Sequence, residues 1–378
     1  MEPAKTVAVL TPYPLSGAAL KGGAQQVAAS ICGNLVTLGW DCTVLRNAGW
    51  AASLPETAPT LEWGDTQVAR WPGQLSGADR APQSAALRII RTADLVLVLD
   101  RSVGRLRTDG AVVLLLSNLA YDNERRAASA PGWDAAWVPS PFLAAELLRH
   151  PGWHPRKVRV VPPVLTEPRC EPRSHATVAR LRALLAAARV PMTRRLLFPH
   201  RADPGKGLLR ALDLLRALVS ADPRWTLTAT AANPEEGPEG QQIVAEARSA
   251  AAALGLRQHL LWVPWLPPSE MSCLYRTGGC TIMASSMPEG FGLVPIESVA
   301  AGVPVVATAA GNVRHLARRF QSITAVEGIG GHQAVDAVHA AVARGTVDGE
   351  STAVRACFGQ EAQLAALTSG LASLLPGT

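Results

Sequence analysis

Short apolar runs alternate along the chain with stretches whose apolar residues recur every three to four positions. The runs TVAVL (6–10), CTVL (42–45), DLVLVL (94–99), AVVLLL (111–116), AAWV (135–138) and VRVV (158–161) have the length and β-branched content of buried strands. Between them, Val27, Ile31, Leu35 and Leu38 share one helical face, and helical periodicity recurs over 83–92 and 141–149. Strands that are apolar throughout and separated by helices predict a parallel sheet, since each crossover must cover one of its faces. The proline-rich stretch VVPPVLTEPRCEPR (160–173) breaks the pattern and reads as a linker. A second series then begins, with strands RLLF (195–198), WTLTAT (225–230), HLLWV (259–263), CTIMA (280–284) and PVVAT (304–308). Helices are predicted between these strands at about 206–220, 239–254, 268–276 and 293–301, and a helical stretch over 351–375 ends the chain. The pattern predicts two Rossmann-like α/β domains, with ligands in the cleft between the carboxyl edges of their sheets.

The 378 residues suit about two domains, and a hydrophobic content of 48% is ample for two cores. The net charge is +6, yet only four of the 36 basic residues are lysines (Lys5, Lys21, Lys157 and Lys206). Dispersed arginines of this kind fit a GC-rich genome better than a nucleic-acid footprint, and no RNA or DNA motif accompanies them. The six cysteines (32, 42, 170, 273, 280 and 357) form no CxxC pair or Cys/His cluster, and read as reduced thiols of a cytoplasmic protein. The first residues are too weakly apolar for a signal peptide, and no run of 18 apolar residues predicts a membrane span.

Chemistry concentrates in EGFGLVPIE (289–297). Glu289 and Glu297 lie eight positions apart, with Gly290 and Gly292 between them and a helix starting after the glycines. A strand, a glycine-rich turn and a helix aim free backbone N–H groups and a helix dipole at an anion. Two carboxylates beside that anion would accept hydrogen bonds from sugar hydroxyls. The combination points to a nucleotide sugar. In HRADPGKG (200–207), Arg201 and Lys206 follow the strand RLLF, where they could clamp a diphosphate and stabilise its departure, with a helix starting near Lys206. Either cation alone reads more readily as surface charge, and it is their company with EGFG that favours the clamp.

The pieces HRADPGKG (200–207), MPEGFGLVPIE (287–297) and AAGVPVVAT (300–308), with ALKGGAQQVAASICGNLVTLGW (19–40), resemble the retaining glycosyltransferases of family 4, which have the GT-B fold. The resemblance runs in order along most of the chain and is strongest over 195–311. It implies an N-terminal acceptor-binding domain over 1–170, a donor-binding domain over 171–354 and a terminal helix over about 355–378 packing back on the first, the two domains facing each other across a deep cleft. It also implies roles. Glu289 would hold the donor sugar, Glu297 the ribose, and Arg201 and Lys206 the diphosphate. Gly290 and the backbone N–H groups of Phe291, Gly292 and Leu293 would line the sugar and phosphates, Gly23 would close from the first domain, and Pro264, Trp265 and Leu266 would meet the base. No Asp-x-Asp occurs, so neither a bridging metal nor any other cofactor is expected.

The match departs from the family on the acceptor side. Where many relatives carry a histidine, the strand AVVLLL leads into Ser117-Asn118-Leu119-Ala120-Tyr121, and Asn118 cannot act as a base near neutral pH. Asp100, Asn118 and Tyr121 are the acceptor-side candidates. Pro162-Pro163 replaces an expected Asn-Gly, and Asn312 and His315 stand where a carboxylate is common. Trp133, Trp137 and Trp153, near Arg149, His150, Arg156 and Lys157, could form a membrane-surface patch, although core packing is the commoner use of such residues. The expected activity is metal-independent transfer of a sugar, with retention, to a hydroxyl of a small acceptor, in natural-product (antibiotic) biosynthesis. The rivals are a lipid- or polysaccharide-directed transferase, a GT-B enzyme forming no ordinary glycosidic bond, and a nucleotide-sugar binding module.

Overall fold

The computed structural model describes residues 4–375 other than 14, 16–21, 48–65, 72–79, 82, 103–105, 166–178, 182, 184, 187–189, 234–237 and 267–269. Most of the predicted linker, with Cys170, lies outside the described residues. The chain forms two compact units, Met1–Val164 with Phe358–Thr378, and Leu165–Cys357.

In the first unit, β1 (Thr6–Thr11), β2 (Asp41–Asn47), β3 (Thr66–Arg70), β4 (Arg80–Ala81), β5 (Leu95–Leu99), β6 (Ala111–Leu115), β7 (Ala135–Val138) and β8 (Val158–Val160) form one sheet in the order β4-β3-β2-β1-β5-β6-β7-β8. From β2 to β8 all pairings are parallel, with Val7 opposite Leu95 and Val9 opposite Leu97. Helices α1 (Gly23–Thr37), α2 (Gln83–Thr92), α3 (Asp122–Ser129) and α4 (Pro141–Leu147) make the crossovers. Alternate residues of the central strands feed two cores, as a sheet covered on both faces requires. Val7, Val9, Leu95 and Leu97 pack with Ile31 and Leu35 of α1, while Ala8, Leu10, Val96 and Val98 pack with Ile90 of α2 and Leu143 of α4. The antiparallel edge formed by β3 and β4 has no apolar signature in TQVAR or RA and was not predicted.

The tryptophans belong to these cores. Trp133 and Trp137 are buried, on opposite sides of the sheet, and Trp153 packs against the same cluster as Trp133. The indole N–H groups of Trp133 and Trp153 donate to the carbonyls of Ala127 (2.8 Å) and Ala128 (2.6 Å). Capping the end of α3 satisfies both donors inside the fold, in keeping with the core-packing reading of these residues over a membrane-surface patch.

The second unit carries a six-stranded, wholly parallel sheet. Its strands are β9 (Arg195–Phe198), β10 (Thr226–Thr230), β11 (Leu260–Val263), β12 (Cys280–Met283), β13 (Val305–Thr308) and β14 (Ile323–Val326). The order β11-β10-β9-β12-β13-β14 is the strand order of dinucleotide-binding sheets, in which direction reverses between the first and fourth strands. The helices are α5 (Leu208–Ala221), α6 (Pro238–Ala253), α7 (Met271–Tyr275), α8 (Leu293–Ala300), α9 (Val313–Arg319), α10 (His332–Arg344) and α11 (Glu350–Cys357). Strand β14 and helices α9 and α10 extend the unit beyond the predicted elements. The buried face of α10, Ala334, Val338 and Ala341, has helical spacing but is too small to stand out in an alanine-rich chain.

Two predicted helices change at their ends. The first begins just past Lys206: Pro204–Lys206 form a single 3-10 turn, and α5 starts at Leu208. The terminal stretch 351–375 is two helices, α11 and α12 (Gln360–Leu374). The first stays with the second unit, where Ser351 and Arg355 donate to the carbonyl of Ala300 at the end of α8 (2.7 and 2.9 Å). The second lies on α1, bonded through Gln363 to Asn34 (2.8 Å). Among the described residues no helix is long and apolar enough to cross a membrane.

Candidate functional site

The switch point of the second sheet brings together the loops that follow β9 and β12. They touch through the backbone. The carbonyl of Gly205 accepts from Ser286 N–H (2.9 Å) and from the hydroxyls of Ser285 and Ser286 (3.2 Å each). At Gly207, with φ at +77°, a Cβ would stand 2.0 Å from the carbonyl oxygen of Ala284, so the chains can meet only through a glycine.

This contact sets Lys206 against Glu289. The Lys206 Nζ donates to Glu289 Oε1 at 2.7 Å, both side chains being mostly shielded. Arg201, more exposed, donates to Asp203 Oδ2 at 2.7 Å, and Asp203 Oδ1 accepts the N–H of Gly205 at 2.8 Å. Asp203 thereby caps the turn that presents Lys206 and holds the guanidinium of Arg201 beside it. Beneath them His200 is buried, its Nε2 3.3 Å from the carbonyl of Ile282. Burial, helped by the charge of Lys206, pushes its pKa down to about 3, so it stays a neutral support of the loop.

The EGFG turn is laced to the start of α9. Glu289 and Gly311 form an isolated parallel bridge, Asn312 N–H donates to the carbonyl of Glu289 (2.9 Å), and its Nδ2 to that of Phe291 (2.7 Å). Asn312 is buried and fastens the turn. Gly290 and Phe291 lie within the turn, Gly292 precedes α8, and Leu293 opens that helix, whose first N–H groups lack intrahelical acceptors. Further along α8, Glu297 Oε2 accepts from the hydroxyl of Tyr275 at 2.8 Å. Burial raises the pKa of Glu297, the tyrosine bond partly offsetting it, and raises that of Tyr275 well above its usual range. Pro264, Trp265 and Leu266 follow β11 at its carboxyl end, and Leu266 packs with Tyr275 and Val294. The second unit therefore pairs Lys206 with Glu289 across two loops, with Arg201 tied to Asp203 on the same loop as Lys206 and Glu297 on the helix leading away. Arrayed in this way, two cations, a carboxylate and a helix start can hold an anion beside a hydroxyl-bearing group.

Asp203, Tyr275 and His200 were not identified from the sequence, and Asn312 only as a departure from the family's pattern. Only for Asp203 was there a local signal, an Asp-Pro-Gly turn preceding the lysine. The other three act through contacts between separate elements.

The remaining candidates lie in the first unit. Gly23 is the first residue of α1. Asp100 ends β5 at the switch point of that sheet, between β1 and β5, and is 1% exposed. Its Oδ1 accepts Ser117 N–H at 2.7 Å and its Oδ2 the Ser117 hydroxyl. Burial, with the neighbouring charge of Glu124, pushes its pKa up to about 7. Asp100 is thus engaged within the fold through both carboxylate oxygens. Asn118 Oδ1 accepts from Leu119 N–H (2.7 Å) and Ala120 N–H (3.1 Å), shaping the turn before α3, and Tyr121 is exposed at the start of that helix. Among the described residues, no three His, Cys, Asp or Glu side chains gather as a metal site would require.

Two Rossmann-like α/β units, one with a cation and carboxylate cluster at its switch point, define the GT-B class of fold. Residues 187–342 match the model of the family described as Glycosyl transferases group 1. That match covers less than half of the chain and makes it similar to this family, while the solved structures below show the GT-B fold. It is similar to the D-inositol 3-phosphate glycosyltransferase of Acidothermus cellulolyticus, 31% identical over 189 residues, which are 49% of this chain and 40% of that protein. The protein of the same name from Geodermatophilus obscurus is 32% identical over 203 residues, 53% of this chain and 44% of its own length. The chain thus spans less than half the length of these relatives. Among solved structures, a glycosyltransferase from Rickettsia africae shares the fold at a TM-score of 0.70 and 15% identity, over 99% of this chain and 100% of that one. An Anabaena protein, HepE, crystallised with UDP and glucose, does so at 0.65 and 16%, over 98% and 100%.

Proposed function

We propose that this chain transfers a sugar from a nucleoside diphosphate sugar to a hydroxyl of a small acceptor, with retention of anomeric configuration. One observation carries the reading: Lys206 pairs with Glu289 at the switch point of the second sheet, and Asp203, which caps the turn bearing Lys206, pairs with Arg201, which would let a diphosphate and its sugar lie together there. Lys206 and Arg201 would neutralise the departing diphosphate in place of a metal ion. Glu289 would hold the sugar hydroxyls and Glu297 the ribose, with Tyr275 fixing the latter carboxylate. Gly290, Phe291, Gly292 and Leu293 would line the sugar and phosphates, and Pro264–Leu266 would meet the base. Front-face attack, with the leaving diphosphate taking the acceptor's proton, suits a site rich in positive charge. The acceptor would bind the first unit near Asn118 and Tyr121, in a cytoplasmic pathway of natural-product assembly.

The name shared by the two relatives favours a second reading of the acceptor, a phosphorylated polyol. Calorimetry and thermal shift with UDP-, GDP- and dTDP-sugars, with and without EDTA, test the donor site. Stabilisation by one nucleotide, insensitive to EDTA and abolished in Glu297→Ala, is expected. A chain that responds to none of them is no glycosyltransferase of this kind. Turnover of the selected donor with inositol phosphate or with neutral alcohols then separates the two acceptor readings.

A further inference from the structure

The cations of the second unit are both paired, but the two pairs are built differently. Asp203 holds Arg201 while its other oxygen accepts the N–H of Gly205, so this carboxylate belongs to the loop that it shapes and has no reason to leave. Glu289 reaches Lys206 from the facing loop, 83 residues along the chain. In that pair the side chains are 23% and 13% exposed, so little water can replace either partner when the contact breaks. Glu289 is also the carboxylate that, on the reading above, must take the sugar. The ammonium therefore has two claimants, the carboxylate and the incoming phosphate.

We propose that the Lys206–Glu289 pair is an exchange contact that makes the site distinguish nucleotide sugar from the nucleoside diphosphate product. The proposal rests on the donor reading. When a diphosphate takes Lys206, Glu289 loses its counter-charge and stays largely enclosed beside added negative charge. An intact donor offsets this loss, because its sugar hydroxyls donate to the freed carboxylate. The product brings the phosphates without the donor sugar's hydroxyls, so its binding bears the whole cost of breaking the pair. Glu289 thus weakens the product selectively and hastens its release, while Arg201, fixed by Asp203, serves both ligands alike.

The test is a double-substitution cycle on the full chain, with UDP and GDP as product probes and inorganic pyrophosphate as a probe without a base. Calorimetry gives each Kd for the wild type, Glu289→Gln, Lys206→Met and the double variant, and circular dichroism melts show that each is folded. Glu289→Gln is expected to tighten binding of the diphosphate by roughly tenfold, the scale of one charge-assisted contact. In the Lys206→Met background the same change should do nothing. A gain that persists without Lys206 means simple repulsion between Glu289 and phosphate and overturns the exchange, as does unchanged or weaker binding in Glu289→Gln. Those outcomes leave the donor reading standing, since the wild type still binds. Failure of the folded wild type to bind any of the three probes overturns both.

Discussion

At Asp100 the backbone turns to a φ of +52°, the one positive value at a non-glycine residue among the described residues. The residue is held there by the bonds from its carboxylate to Ser117 and by Arg101, which donates to its carbonyl at 2.8 Å. Such strain persists only where neighbours over-determine it. Burial also moves the carboxyl from an ordinary 3.8 to about 7, and the buried Glu124 carboxyl shifts in the same direction. A raised acid pKa means that the native chain keeps a proton that the unfolded chain has released. Stability from Asp100 is therefore complete below pH 3.8 and falls as pH rises to about 7. Asp100→Asn should flatten much of this slope and be the more stable form at pH 8, by on the order of 2–4 kcal/mol. Urea unfolding of both forms at pH 5 and pH 8 checks this, and equal slopes would show that Asp100 is ionised at neutral pH.

Between elements, the meeting of the β9 and β12 loops depends on a residue with no side chain. Gly207 combines a left-handed φ with a backbone oxygen at 2.0 Å from any Cβ, whereas Gly255, at a φ of +70°, faces open space. The pair separates conformational strain from close approach. Gly255→Ala should cost about 1 kcal/mol, the price of the conformation alone. Gly207→Ala should cost about 2–4 kcal/mol and loosen the Lys206–Glu289 contact, because the loops must part. Thermal melts of the two variants, with UDP titrations beside them, measure both effects. Equal losses would mean that the two loops have room to separate. The same contact explains why Lys206 lies in a 3-10 turn and not in the helix: Pro204 and Gly207 bracket it, and Asp203 caps it.

On the scale of the molecule, the chain leaves the second unit at Phe358-Gly359 and completes the first with α12. Gln363 fixes that helix. It is fully buried, accepts from Asn34 (2.8 Å), and donates to the hydroxyl of Ser30 (3.0 Å) and the carbonyl of Pro162 (2.7 Å). Gln363→Leu would leave these partners enclosed and unsatisfied. A loss of about 2–4 kcal/mol follows, or roughly 5–15 °C in the melting of the first unit. A melt unchanged in that variant would show the helix to be held by Leu367 and Leu371 alone. Sequence by itself determined the alternation of strands and helices, and with it two largely parallel sheets, since strand and helix periods are local properties of the chain. It also determined the glycine-rich turn, the carboxylates at 289 and 297, and the cations at 201 and 206, because glycine and charge are visible residue by residue. Only the tertiary structure decided that three tryptophans are core, that Asp100 is enclosed, and that the terminal stretch divides between the units. It alone paired Lys206 with Glu289 and Tyr275 with Glu297. Each of these depends on which distant residue fills the space beside a side chain, and pairings across 83 or 22 positions have no periodicity to betray them.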